Sequence, residues 1–373
     1  MIRVGFDATA LLDTPTGVGI FTGELLAGLA IEPEVDVTAF AVSLRGRGRL
    51  GEVVPAGVKV RSRPIPARVA RAVWGHADRP SVADLAGPVD VVHGPNFVVP
   101  PGGSAAEVVT VHDLTAIRFP AMCTADVLQW PSLLRRSLLR GAWVHTVSEF
   151  VAQEVREAFP EAGERVVAVA NGIRRPGAPT PRTGEERGWH LAGGSSYVLA
   201  VGTVEPRKDL PGLVRAFDSL AVDHPALRLV LAGPDGWGAE SLTAAIDASP
   251  CRRRIVRLGW VDDDARLALV RGASVVAYPS RYEGFGLVPL EAMAVDTPVV
   301  ATSAGALPEV LGNAAVLVEP GDADALAEGL AAVLADDQHR ADLVERGRAQ
   351  IERFPWASSV EQMVDLYRRA TGS

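Results

Sequence analysis

Two carboxylates and two cations are the residues of this chain best placed to do chemistry together. Glu283 and Glu291 stand with seven residues between them in Glu283-Gly-Phe-Gly-Leu-Val-Pro-Leu-Glu291, and Arg207-Lys208 close the run Gly202-Thr-Val-Glu-Pro-Arg-Lys. The pattern predicts a short apolar strand over 274–278, then a Gly284-Phe285-Gly286 loop, then a helix from about Leu287. A glycine loop leading into a helix N-terminus exposes unpaired N–H groups and favours an anion. A carboxylate beside such a site repels phosphate, so Glu283 and Glu291 suit hydroxyl donors, as in a sugar or a ribose. Arg207 and Lys208 would face the phosphate. Plainer readings stand beside these: a loop Glu283, a solvated Glu291, and an arginine or lysine that caps a carbonyl. Leu287, Val288, Leu290 and Met293 argue against a solvated Glu291, because an unpaired carboxylate in apolar surroundings is costly.

These residues must be held by strands and helices that alternate along the whole chain. Apolar runs near 3–7, 35–42, 58–63, 89–93, 108–112, 143–147 and 166–170 read as strands, as do 196–201, 227–232, 255–258, 299–301 and 316–318. Helical patterning at 20–30, 131–141, 148–159, 326–334, 342–354 and 358–367 separates or follows them. Such repetition predicts parallel, doubly wound α/β sheets, which gather ligands at the carboxyl ends of their strands. Gly17-Val-Gly19 reads as a first strand-to-helix turn, His93 and His112-Asp113 as strand ends, and 174–194, rich in Pro, Gly and charge, as an interdomain linker. Asp262-Asp-Asp264 precedes a helical run and reads as an N-cap rather than a metal site.

Composition narrows the class. A chain of 373 residues, 48% hydrophobic and 22% charged, is globular and long enough for two domains. A net charge of −8 speaks against general nucleic-acid binding. Cys123 and Cys251 lie far apart without ligand spacing. The first residues already read as a strand and no apolar run reaches the length of a membrane span, so a cytoplasmic protein is expected. Nine Lys and Arg residues against two acidic ones between 43 and 79 form a local exception. That stretch is either solvated arginine-rich loop or a patch for anionic lipid or a phosphate-bearing acceptor at the inner membrane face.

The run from Glu283 to Ala294 resembles the E-x7-E signature of retaining GT-B glycosyltransferases of family 4, and Gly202-to-Lys208 is similar to that family's diphosphate motif. Val288 stands where many members have Pro, and Thr203 where several have Arg. The resemblance spans nearly the whole chain. It implies two Rossmann-like domains facing a central cleft: an acceptor domain over 1–175, a linker over 176–194, and a nucleotide-sugar domain over 195–354. A last helix within 355–373 would return to the first domain.

By the same resemblance Glu283 meets the donor sugar, Glu291 the ribose, and the amides of Gly284, Phe285, Gly286 and Leu287 the diphosphate, with Arg207 and Lys208. Gly202 and Thr203 would lie beside the diphosphate, and Gly233, Trp260 and Val261 would border the nucleobase. Gly305 would line the donor sugar, and Gly17 and Gly19 would face donor phosphate and acceptor. His112 would sit near the reacting carbon, with His93 and Asp113 toward the acceptor. The implied reaction moves a hexose, by likeness to a mannosyltransferase branch from GDP-mannose, to a glycan, glycolipid or small-molecule acceptor without metal or other cofactor. UDP-glucose and a UDP-hexosamine are rival donors. A non-catalytic nucleotide-sugar-binding subunit, or an epimerase or phosphorylase on the same fold, are rival functions.

Overall fold

In a computed structural model, which describes residues 1–12, 16–44, 46–175 and 181–372, the chain forms two compact units. The first comprises Met1–Gly172 with Pro355–Ser373, the second Ile173–Phe354. Both are built on wholly parallel sheets.

In the first unit β1 (Ile2–Asp7), β2 (Val35–Ser43), β3 (Lys59–Pro64), β4 (Val91–Gly94), β5 (Ala106–Val111), β6 (Trp143–Thr146) and β7 (Val166–Ala168) lie in the order β3-β2-β1-β4-β5-β6-β7. Short Val-rich strands with both faces covered suit such a sheet. Val91, Val92, Val108, Val109 and Val144 are fully buried. One face packs under helices Ala67–Trp74, Trp130–Leu139 and Glu149–Ala158, the last capped by Ser148. The other packs under Gly17–Ile31 and the C-terminal helix Trp356–Thr371, which buries Val360, Met363 and Tyr367. Ser359 Oγ ties that helix to the Ala170 carbonyl at 2.7 Å.

A chain of hydrogen bonds crosses this core. The Val169 carbonyl can only accept, so His145 Nε2 carries the proton at 2.9 Å. Thr110 Oγ1 then donates to His145 Nδ1 at 2.9 Å and accepts from His93 Nε2 at 2.7 Å. The Tyr367 hydroxyl donates to His93 Nδ1 at 2.7 Å. Every polar atom is satisfied only while both rings are neutral, and burial lowers both, His145 to about 4 and His93 well below its ordinary value.

In the second unit β8 (Tyr197–Val201), β9 (Arg228–Ala232), β10 (Ile255–Gly259), β11 (Val275–Tyr278), β12 (Val299–Thr302) and β13 (Val316–Val318) lie in the order β10-β9-β8-β11-β12-β13. The order reverses between β8 and β11, and the crevice beyond such a switch point is where doubly wound sheets bind ligands. Two differences from sequence expectation stand out. Residues 181–191, expected as linker, form a helix of the second unit packed against helix Asp263–Gly272, while 176–180 lie outside the described residues. The first helix begins at Gly17, with Thr16 as N-cap accepting from Gly19 N at 3.4 Å, so these glycines open the helix instead of preceding it. Residues 13–15 of the expected turn also lie outside the described residues.

Candidate functional site

The switch point of the second unit gathers the predicted residues. After β8 a 3-10 turn, Pro206–Lys208, carries Arg207 and Lys208 with Glu205 as its N-cap, and Asp209 in a left-handed conformation caps helix Leu210–Leu220. The neighbouring β11 ends in Tyr278 and leads into Ser280, Glu283 and helix Leu287–Met293. Glu283 Oε1 lies 2.5 Å from Lys208 Nζ, 2.8 Å from Arg207 Nη1 and 2.7 Å from Ser280 Oγ. Burial pushes this carboxyl up, but the Arg207 and Lys208 charges outweigh it and hold it at about 2. Burial lowers the Lys208 ammonium, and Glu283 offsets that; the pair is ionic. Lys208 Nζ also reaches the Tyr278 hydroxyl at 2.6 Å and sits over that ring, 4.3 Å from its centroid. Arg281, paired to Asp209 at 2.9 Å, flanks the turn.

The loops beside this centre are shaped by close backbone approach. Gly305, at φ 59°, packs on the Glu283 backbone: a Cβ there would stand 2.2 Å from the Glu283 carbonyl oxygen, which accepts from Ala306 N at 2.9 Å. Gly233, at φ 147°, lies on Gly202, where a Cβ would stand 2.0 Å from the Gly202 carbonyl oxygen. Gly202 N bonds Ala232 O at 2.9 Å, and Gly233 N bonds Gly259 O at 2.8 Å. The carboxyl ends of β8, β9 and β10 are thereby laced side by side, with Thr203 next to Gly202 and the half-exposed Trp260 and Val261 beyond Gly259.

Glu291 is half-buried and ion-paired to Arg266 from helix Asp263–Gly272. Burial raises its carboxyl and Arg266 pulls it back. Asp262 accepts from Ala265 N at 2.7 Å and caps that helix, as the spacing predicts. Phe285 contacts Phe354 edge-on, with centroids 5.6 Å apart, so its ring packs in the core and its backbone is what the loop can offer. Gly284, Gly286 and Leu287 complete that loop, with Gly286 as the helix N-cap at φ 106°.

In the first unit His112 follows β5, half-buried, its ring edge 5.1 Å from Phe21. Its Nε2 donates to the Pro95 carbonyl at 2.8 Å, which in the neutral ring leaves Nδ1 as an acceptor. Burial lowers this imidazole, with Pro95 and Asp113 opposing. Asp113 accepts from Thr115 N at 2.9 Å. His93 corrects the sequence reading: it has no exposed surface and both ring nitrogens are engaged within the core, so it cannot meet an acceptor. Its position at a strand end suggested exposure; the C-terminal helix covers it.

Reading the sequence alone missed Glu205, Tyr278, Ser280, Arg281 and Arg266. Glu205 and Ser280 stand within three residues of predicted ones and could have been found by adjacency. Arg266 lies on a separate helix and carries no local signal.

Comparison with known proteins agrees with this geometry. The family description "Glycosyl transferases group 1" matches residues 183–350, and "Glycosyl transferase 4-like domain" matches residues 16–172. The O-antigen chain mannosyltransferase B of Escherichia coli is 32% identical over 283 residues, 74% of either chain. An MMP alpha-(1->4)-mannosyltransferase of Mycolicibacterium hassiacum is 33% identical over 60% of this chain and 53% of its own length. Among solved structures, a sucrose-phosphate synthase of Thermosynechococcus elongatus superimposes with TM-score 0.77 over 100% of both chains at 20% identity. WaaG, a glycosyltransferase involved in lipopolysaccharide biosynthesis, gives 0.75 over 99% of this chain and 100% of its own at 18% identity. The fold is GT-B, and the chain belongs to the group 1 glycosyltransferases.

Proposed function

We propose that this glycosyltransferase moves a hexose, most readily mannose from GDP-mannose, to a glycan, glycolipid or small-molecule hydroxyl with retention and without metal. One observation carries the reading: Arg207, Lys208 and Glu283 converge at the β8/β11 switch point, beside a glycine loop that opens a helix. As the C1–O bond to the diphosphate breaks, charge grows on the departing phosphate. Arg207, Lys208 and the loop amides of 284–287 meet that charge, the role otherwise given to a divalent ion. Glu283 accepts from sugar hydroxyls and so orients the ring. His112 Nδ1 accepts a further sugar hydroxyl near C1. The acceptor oxygen attacks from the face the phosphate leaves, and its proton passes to the departing phosphate oxygen. Glu291 takes the ribose hydroxyls.

Mannose is favoured by mannosyltransferase relatives such as those two. UDP sugars are the competing donors; HepE of Anabaena, whose structure is described as a complex with UDP and glucose, shares the fold at 18% identity. Thermal-shift titration against GDP-mannose, UDP-glucose and a UDP-hexosamine tests the choice. Saturating donor should stabilise by about 2.7 kcal/mol at a hundredfold excess over Kd. No response to any nucleotide sugar would reject the donor site. Turnover surviving a chelator is expected; loss restored by magnesium would reject the metal-free reading. Release of nucleoside diphosphate in the presence of acceptor separates an enzyme from a binding subunit.

Helix Ala67–Trp74 turns Ala70 and Trp74 inward and leaves Val69 and Val73 exposed beside Arg68. That face supports contact with anionic lipid. Among the described residues no helix is long and apolar enough to cross a membrane. Flotation with anionic but not neutral vesicles checks the contact; equal failure on both rejects it.

A further inference from the structure

The diphosphate cradle is less positive than its two cations imply. Arg207 is held on two edges: its Nε lies 2.9 Å from Glu205 Oε2 and its Nη1 2.8 Å from Glu283 Oε1. Lys208 shares Glu283 at 2.5 Å. Two cations are thus matched by two carboxylates, all largely withdrawn from water, where charges act on one another far more strongly than in solvent. Glu283 has a proposed duty toward the sugar. Glu205 has none: it sits against Arg207 Nε, and a carboxylate there opposes the positive charge that Arg207 would offer a phosphate.

We propose that Glu205 is a positioning and tuning residue that acts through Arg207, and that its charge weakens the grip on the nucleoside diphosphate so that product leaves. The inference rests on the donor-site reading above and adds a residue to it. A cradle with two unopposed cations would hold the leaving group well after transfer and slow turnover. A carboxylate beside Arg207 orients the guanidinium and at the same time lowers the field the phosphates meet.

Glu205→Gln separates these two duties, since the amide oxygen still accepts from Arg207 Nε while the charge is gone. Calorimetric titration with GDP and UDP should show binding roughly five- to fiftyfold tighter in this variant. Product inhibition should strengthen by the same factor, and donor KM and kcat should both fall. Glu205→Asp, which keeps the charge, should return binding toward the wild-type value. Where Gln impairs folding, judged by the melting transition, Glu205→Ala removes the same charge. Binding that is equal or weaker in the uncharged variants, or equally tight in the Asp variant, overturns the proposal. Failure of the donor-site reading looks different: neither nucleotide then binds the wild type, or Lys208→Met leaves their binding unchanged.

Discussion

Lys208 Nζ and Glu283 Oε1, from turns 75 residues apart in sequence, meet at 2.5 Å where the second sheet reverses its strand order. Each group is nearly removed from water, so each depends on the other for its charge. Lys208→Met should lower kcat/KM by about 10²–10³, the loss usual for one donor that stabilises a developing anion. It should also lower the melting temperature, because Glu283 is left with one cation fewer. Steady-state kinetics beside a thermal melt read both; a variant that is fully active and equally stable contradicts the site.

Glu283→Gln should fold, since an amide oxygen can still accept from Lys208 and Ser280. Glu283→Ala takes the carboxylate from buried Lys208 and one of the two from Arg207, and should cost about 3–5 kcal/mol. Denaturant titration compares the two. Transfer should be lost in both, so a Gln variant with wild-type kcat would remove Glu283 from the chemistry.

Arg266→Ala should make nucleotide binding depend on pH. Burial already raises the Glu291 carboxyl, and Arg266 is what restrains it. Without that partner the carboxyl rises further, so lowering the pH protonates it before it can accept from ribose hydroxyls. Affinity for GDP should fall about tenfold at neutral pH and fall further on acidification. Calorimetry at several pH values checks this, and 2′-deoxy-GDP should show a smaller effect. A pH-flat Kd equal to wild type would detach Glu291 from the ribose.

Stability should decline as pH falls from about 6.5 toward 4. His93 and His145 are neutral in the folded core and bind protons at their ordinary values once unfolded, so acid favours the unfolded chain. Each ring contributes about 1.4 kcal/mol per pH unit across that window. Below the ordinary carboxyl range Glu283, held at about 2, adds to the loss in the same direction. Tyr367→Phe removes the donor to His93 Nδ1 and should cost about 1–3 kcal/mol at neutral pH. Urea titrations from pH 4 to 8 test both statements, and a flat profile counts against the neutral-ring chain.

Much of the site was legible because its residues come in local runs. Glu283-Gly-Phe-Gly and Pro206-Arg-Lys are each set by one turn, and a turn's conformation depends mainly on its own residues. Strand–helix alternation likewise announced two parallel sheets, since buried parallel strands must be apolar on both faces. What no run could express was pairing at a distance. The Arg266–Glu291 pair needs two helices brought side by side, and His93, outwardly a strand-end residue, is sealed by a tyrosine 274 positions later.

Periodicity and chemistry within a few residues were enough to announce the fold class, the glycine loop and the Arg207, Lys208 and Glu283 charges around it. That these charges neutralise one another, that Glu205 joins them and that His93 belongs to the core emerged only from the folded chain. Burial and long-range partners set those outcomes, and both exist only once the sheets have closed under their helices.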